Sequence, residues 1–265
     1  MHNIKLSIIT VGMNHRKYIE VLYGTLYGDC RPELDFETIY VDNCSSDDSV
    51  SFLSLHYPQV KVIKNMKPLG FGENNNKGVE VASGEYIALL NPDIILMKGS
   101  IETIISRAKT INRKEIIVPQ LLNLDGTVQN SVRGFVTFRT ILSRWFTWEN
   151  DNTSNTRVRK YLCKDLDNTK EQEIDWAIGA AMFMSRETYV SLNGFDQRYF
   201  LYMEDEDLCL RAWEQNIPVI YYPKAKLIHH HLRGSAHISM RTLQHLRSLA
   251  VFFYLHGFNI KRVKK

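Results

Sequence analysis

The chain has 265 residues, 44% hydrophobic and 23% charged, which fills one large α/β core and leaves little for a second. Its formal charge of +4 comes without a long basic run interleaved with aromatics in the body of the chain, which argues against nucleic acid as a partner. The four cysteines show neither CxxC spacing nor the density of a disulfide framework, so a reducing compartment is expected.

In chain order, the first apolar run, Leu6 to Val11, is rich in β-branched residues and too short for the core of an export signal. A helical stretch follows from His15 to about Tyr27, then a strand from Phe36 to Val41 and a helix from Asp47 to Tyr57. Next come a strand over Val60 to Lys64, a Gly- and Asn-rich turn entering a helix near Asn74 to Ser83, and a strand over Tyr86 to Leu90. Strands separated by single helices predict βαβ crossovers in a mostly parallel sheet, with ligands at the carboxyl ends of the strands. From Gly134 to Lys170 the pattern breaks into an aromatic and basic insertion, expected to be mobile. A strand-like run spans Ile174 to Met184, and a helix starts near Arg186. After a loop over Asn193 to Tyr202, another helix opens near Glu204. Strand-like Val219 to Tyr222 precedes a helical tail, Ile238 to Lys265, whose apolar stripe is expected to pack on the core and whose end is basic. No stretch reaches the roughly 18 uninterrupted apolar residues of a spanning helix.

Five segments carry groups able to do chemistry. In Tyr40-Val41-Asp42-Asn43 an apolar strand ends in a carboxylate that can accept the N3–H of a uracil or thymine ring, or can simply open a turn. The segment Asn65 to Gly78 includes Gly70, Phe71 and Asn76. Its glycines permit close backbone approach before a helix start, which suits ribose or diphosphate, and it equally reads as a plain turn. It is neither a phosphate loop of the Gly-Lys-Ser/Thr kind nor a dinucleotide fingerprint. Asn91-Pro92-Asp93 puts a carboxamide and a carboxylate at the mouth of a buried strand, oxygen donors suited to Mg²⁺ or Mn²⁺ on a diphosphate. Glu204-Asp205-Glu206-Asp207 packs four acids into one helical turn; two read as ordinary dipole partners, and four together are costly without a cation or a proton-accepting role. One imidazole of His229-His230-His231 can complete a metal site, although packed histidines are commoner.

In this order, and with Gly194-Phe195-Asp196 leading into Tyr202 to Arg211, these segments resemble the family 2 glycosyltransferases, in particular the bacterial rhamnosyltransferase-like branch that builds O-antigen and related polysaccharides. The resemblance covers roughly Leu6 to Ser235 and implies the GT-A fold, a Rossmann-like α/β unit. It sets a catalytic domain over 1–235 (nucleotide half about 1–97, acceptor half about 98–235, insertion about 134–170) and a helical basic tail over 236–265. Carried over by residue, Thr10 and Asp42 contact the nucleotide, with Asp42 on the base, and Asn65, Gly70, Phe71, Asn76 and Asn91 lie around the donor. Asn91-Pro92-Asp93 stands where the family has Asp-x-Asp, so Asp93 would bind the metal with His229, while Asn91 replaces an acid. Asp205 matches the catalytic base. Trp176, Gly179 and Ala180 match a strand on the acceptor side, where Glu204 is also set.

The implied reaction is inverting transfer of a sugar, dTDP-L-rhamnose being the favoured donor, to a saccharide on a lipid such as a polyprenyl diphosphate. The implied location is the cytoplasm, peripheral on the inner membrane, with Phe138, Leu142, Trp145, Phe146 and Trp148 of the insertion or the tail able to meet the bilayer. Competing readings are a galactofuranosyl- or other hexosyltransferase using a UDP-sugar, a sugar nucleotidyltransferase, and a non-catalytic sugar-nucleotide sensor. The nucleotidyltransferase requires a Gly-rich basic signature near the N-terminus that Met13-Asn14-His15-Arg16 does not supply.

Overall fold

The computed structural model describes residues 4–146, 154–230, 240–258 and 260. Its first half runs β1 (Leu6–Gly12), α1 (Arg16–Tyr27), β2 (Phe36–Asp42), α2 (Ser49–His56), β3 (Lys61–Lys64), α3 (Phe71–Glu80), β4 (Tyr86–Leu90) and β5 (Ile94–Ile95). Then come α4 (Ser100–Ile111), β6 (Ile116–Leu122), β7 (Val132–Arg133), α5 (Phe138–Phe146), α6 (Thr156–Tyr161), β8 (Gln172–Glu173) and β9 (Trp176–Ala177). The last elements are β10 (Ala181–Ser185), α7 (Arg186–Ser191), α8 (Glu204–Glu214), β11 (Val219–His229) and α9 (Met240–His256).

Apolar β1, β2 and β4 are buried on both faces, which demands helices above and below the sheet. On one face α1 buries Ile19, Leu22, Tyr23 and Leu26, residues at helical spacing. On the other α3 lies so close that a Cβ on Gly78 would come within 2.4 Å of the Ile9 side chain. The strand order is β3-β2-β1-β4-β10-β6-β11-β5, with β8 beside β11. The expected parallel pairing holds from β3 to β4 and again between β6 and β11. Strand β10 instead runs antiparallel to both of its neighbours. The reason is where the chain enters it: Ala181 pairs with Leu90 at the carboxyl end of β4, so the strand can only run back.

Three expectations change in detail. The run Ile174 to Met184 is two strands, β9 and β10, broken at 178–180, and β9 pairs with β7 in a small separate sheet. The insertion holds α5 and α6, and Val158 and Leu162 are buried; its residues 147–153, Trp148 among them, lie outside the described residues. The donor-side helix begins at Phe71 rather than Asn74 because Asn74 turns its amide back onto the Gly70 carbonyl at 2.8 Å, and Gly70 serves as N-cap in an extended conformation.

One buried acid holds the far side together. Asp207 accepts from Arg211 Nε at 2.8 Å and from the Tyr199 hydroxyl at 3.3 Å, and His256 Nε2 of α9 lies 2.7 Å from its Oδ1. Removing it takes the anionic partner from a guanidinium that keeps the Leu192 and Gly194 carbonyls, and from a phenol and an imidazole, so Asp207→Ala should cost about 3 kcal/mol in urea unfolding. A cost under about 1 kcal/mol would mean that Asp207 is not the anchor.

Candidate active site

The turn after β4 is set by its own sequence: Pro92 occupies the second position of a four-residue turn closed by Ile94 N–H donating to the Asn91 carbonyl at 3.2 Å. Strand β5 then pairs antiparallel with the end of β11, Ile94 opposite His229, which brings the Asp93 carboxylate to the His229 imidazole, Oδ1 to Nε2 3.4 Å. His229 is buried, and its Nδ1 is 2.7 Å from Gln129 Oε1. With Nδ1–H donating to that amide, Nε2 carries the lone pair and points to Asp93, the tautomer that a metal ligand needs. His230 turns away to Tyr18, ring centroids 5.6 Å apart, and His231 lies outside the described residues.

Along the same sheet edge, Asp42 ends β2 beside Gly12, and Thr10 stands opposite Tyr40 on the same face. Asp42 Oδ2 accepts from Ser45 N–H at 3.2 Å. Asp42 Oδ1, Thr10 Oγ1 and Asp93 Oδ1 are buried and make no hydrogen bond among the described residues. Buried polar atoms are ordinarily satisfied, so these atoms on neighbouring strand ends are groups that a polar ligand could meet.

Two of the three asparagines expected around the donor, Asn65 and Asn76, have partners within the protein. Asn65 joins Asn43, Asn74 and Lys77 in a network that fixes the 65–70 loop, with Lys77 Nζ 2.9 Å from Asn65 Oδ1. Asn76 is spent on the Phe195 backbone, donating to its carbonyl at 2.8 Å and accepting its N–H at 2.9 Å. Both amides therefore act inside the fold. Gly70 lets the loop pass the Tyr199 and Phe200 carbonyls, which a Cβ would meet at 2.8 and 2.9 Å.

Asparagine 91 reaches the second half of the site through its backbone, donating to the Ala180 carbonyl at 2.9 Å. Next to it, Gly179 N–H donates to Asp205 Oδ2 at 2.9 Å, and Phe71 and Asp205 both lie within about 3.5 Å of where a Gly179 Cβ would be. Thus Asn91, Gly179, Phe71 and Asp205 come together. Trp176 is held behind them, its indole N–H donating to the Gly134 carbonyl at 2.8 Å.

Helix α8 begins directly after Tyr202 and Met203, both left-handed (φ 69° and 70°), a strained entry that aims its first turn. Burial raises the Asp205 carboxyl above the ordinary range, partly offset by the N–H groups of Gly179 and Glu206, so it holds a proton more tightly than a free aspartate. Glu204 is buried with Oε2 unpartnered among the described residues; burial and then the Asp205 charge push it up to about 8. Glu206 is raised well above its usual range by burial and accepts from Val136 N–H. None of these three acids is a plain dipole partner. Gln129 and Arg133 carry no sequence signal; Arg133 donates to the Asn130 and Val132 carbonyls, and its charge draws the Asp205 carboxyl down.

The family described as Glycosyl transferase family 2 matches residues 7–189, and that described as the N-terminal domain of galactosyltransferase matches 165–233. Rhamnosyltransferase WbbL of Escherichia coli (strain K12) is 30% identical, over 94% of this chain and 91% of its own length. The N-acetylglucosaminyl-diphospho-decaprenol L-rhamnosyltransferase of Mycobacterium tuberculosis (strain ATCC 25618 / H37Rv) is 26% identical, over 85% and 76%. Among solved structures, S. aureus TarS 1-349 in complex with UDP-GlcNAc gives a TM-score of 0.64 at 16% identity, covering 98% of this chain and 68% of that one. GalNAc-T7 with UDP, GalNAc and Mn²⁺ gives 0.66 at 14%, covering 89% and 45%. At these identities the structural likeness is one of fold, and the chain spans less than half of the latter structure's chain.

Glu204 generates a prediction. A carboxyl raised by folding contributes stability that is fully present below its unfolded value of 4.5 and lost as pH rises through about 8. Glu204→Gln should therefore unfold in urea with a flatter pH dependence, gaining on the parent chain between about pH 5 and 9. Parallel curves would show that Glu204 ionises in the fold as it does in water.

Proposed function

Since the chain belongs to glycosyl transferase family 2, we propose that it transfers L-rhamnose from dTDP-L-rhamnose, with inversion, to a saccharide carried on a polyprenyl diphosphate, at the cytoplasmic face of the membrane, in building a cell-surface polysaccharide. The observation that carries the reaction type is Asp205: a half-buried carboxylate at a helix start, gripped by Gly179 N–H at 2.9 Å, with its proton affinity raised by burial. The sugar and acceptor follow from the rhamnosyltransferase relatives, one of which is named for a GlcNAc-diphospho-decaprenol.

In this mechanism Asp42 Oδ1 accepts the N3–H of the pyrimidine, and Thr10 Oγ1 bonds the nucleotide beside it. Asp205 takes the proton of the acceptor hydroxyl as that oxygen attacks the anomeric carbon from the face opposite the diphosphate. The C–O bond to the diphosphate breaks with its electron pair. The Gly179 N–H keeps Asp205 in place, with the Phe71 ring packed beside Gly179.

A divalent metal fits the remaining groups. Asp93 Oδ1 is an unpartnered oxygen and His229 Nε2 a nitrogen facing it, a mixed set that favours Mn²⁺ over Mg²⁺. Among the described residues no group of three or more His, Cys, Asp or Glu stands ready for a metal, so the other ligands would be diphosphate oxygens and water. Bound there, the ion would neutralise the departing diphosphate.

A panel of sugar nucleotides with and without Mn²⁺ or Mg²⁺, read by thermal shift and released nucleoside diphosphate, tests the donor; turnover with a UDP-hexose alone would replace rhamnose by the hexosyl reading. Asp205→Asn should keep the donor-induced shift and lose about 10²–10⁴-fold in kcat. Loss of donor binding with unchanged kcat would assign Asp205 elsewhere. Gln129→Leu removes the amide that fixes the His229 tautomer, and Mn²⁺ affinity read by electron paramagnetic resonance should fall about 10–100-fold. Unchanged affinity would remove His229 from the ligand set or Gln129 from its support.

A further inference from the structure

Helix α9 has two apolar faces, and the fold uses one. Inward, Ser248, Phe252 and Phe253 are buried, Ser248 Oγ donates to the Leu201 carbonyl at 2.9 Å, and His256 reaches Asp207. Outward, Leu243, Leu246, Ala250 and Tyr254 follow one another at the spacing that lines side chains along one stripe. Leu243, Leu246 and Tyr254 are 63%, 59% and 87% exposed. Past the left-handed Gly257 that ends the helix, Phe258 is 61% exposed and its ring meets exposed Phe138 of α5, centroids 5.9 Å apart. Single exposed apolar residues need no explanation, but an aligned row of them does.

Charge identifies the occupant. Residues 240–265 hold Arg241, Arg247, Lys261, Arg262, Lys264 and Lys265, six of the chain's 33 Lys and Arg, and none of its 29 Asp and Glu. Without this tenth of its length the chain would have a net charge of −2 instead of +4. A second copy docking stripe to stripe would bring two such cationic segments together, whereas an anionic bilayer attracts them and takes the apolar stripe into its headgroup boundary. No helix among the described residues is long and apolar enough to cross a membrane, so α9 would lie in the interface plane.

We propose that the outer face of α9, continued by Phe258 and Phe138, is a docking surface for an anionic lipid bilayer. The helix is joined to the loop that leads into α8 and Asp205, through Ser248 on Leu201 and the His245 ring 5.0 Å from that of Tyr202. Docking therefore fixes the height of Asp205 above the bilayer. Only that purpose rests on the lipid-linked acceptor proposed above; the surface itself does not.

The test is co-sedimentation of the full chain with vesicles of phosphatidylcholine, with and without phosphatidylglycerol, beside a Leu243→Ser/Leu246→Ser/Tyr254→Ser variant. The parent chain should bind the anionic vesicles, and the variant about tenfold less or weaker, with unchanged melting temperature and unchanged transfer to a water-soluble acceptor analogue. Equal binding by variant and parent overturns the proposal, as does no binding by the parent, or a dimer in light scattering that the variant dissociates. Vesicle binding by a parent chain that shows no transfer would overturn the acceptor reading alone and leave the docking surface standing.

Discussion

The site depends on one seam, the antiparallel pairing of β10 with β4. On one side lies a run of parallel strands whose ends carry Thr10, Asp42 and Asp93; on the other lies the helix start with Asp205. Because Ala181 is opposite Leu90, the residues before β10 pass directly over the end of β4, where the Asn91 N–H holds the Ala180 carbonyl and the Gly179 N–H holds Asp205. A strand of the other direction there would end at the far edge and leave the carboxylate remote from the donor side. The β4–β10 ladder, the Asn91 N–H on Ala180 and the Gly179 N–H on the Asp205 carboxylate thus set the distance between the two halves.

The first four strands were legible because local signals agree there: β-branched runs, one helix between each pair, and carboxylates at the strand ends. Strand β6 escaped since Pro119 interrupts Ile116–Leu122, and proline argues against a central strand. The structure tolerates it opposite Tyr222, where the register of β11 shifts, and the same irregularity lets β11 continue past Pro223 to His229. Gln129 was illegible for a different reason. It is one polar residue in a loop, and its meaning comes only from His229, a hundred residues further on. Asn76 shows the converse, an amide in a glycine-rich helix start that looks available for a ligand and is consumed by the Phe195 backbone.

The four acids of α8 illustrate how composition understates a site. As a run they suggest a solvated helix start, yet each side chain has its own surroundings: Glu204 against Gly72, Asp205 on Gly179, Glu206 on Val136, Asp207 on Arg211 and His256. Among the described residues, Asp207 pairs with the basic side chains of Arg211 and His256. For the other three, burial raises the carboxyl above its usual range.

The pairing of β5 with β11 has a consequence for the order in which the chain becomes competent during synthesis. Asp93 emerges from the ribosome soon after the strands that carry Thr10 and Asp42, while Asp205 and His229 follow more than a hundred residues later. Contacts so distant in sequence form late. A partly made chain therefore holds the strand ends with Thr10 and Asp42 long before Asp205 and His229 join them, so the proposed site is complete only once β11 is in place.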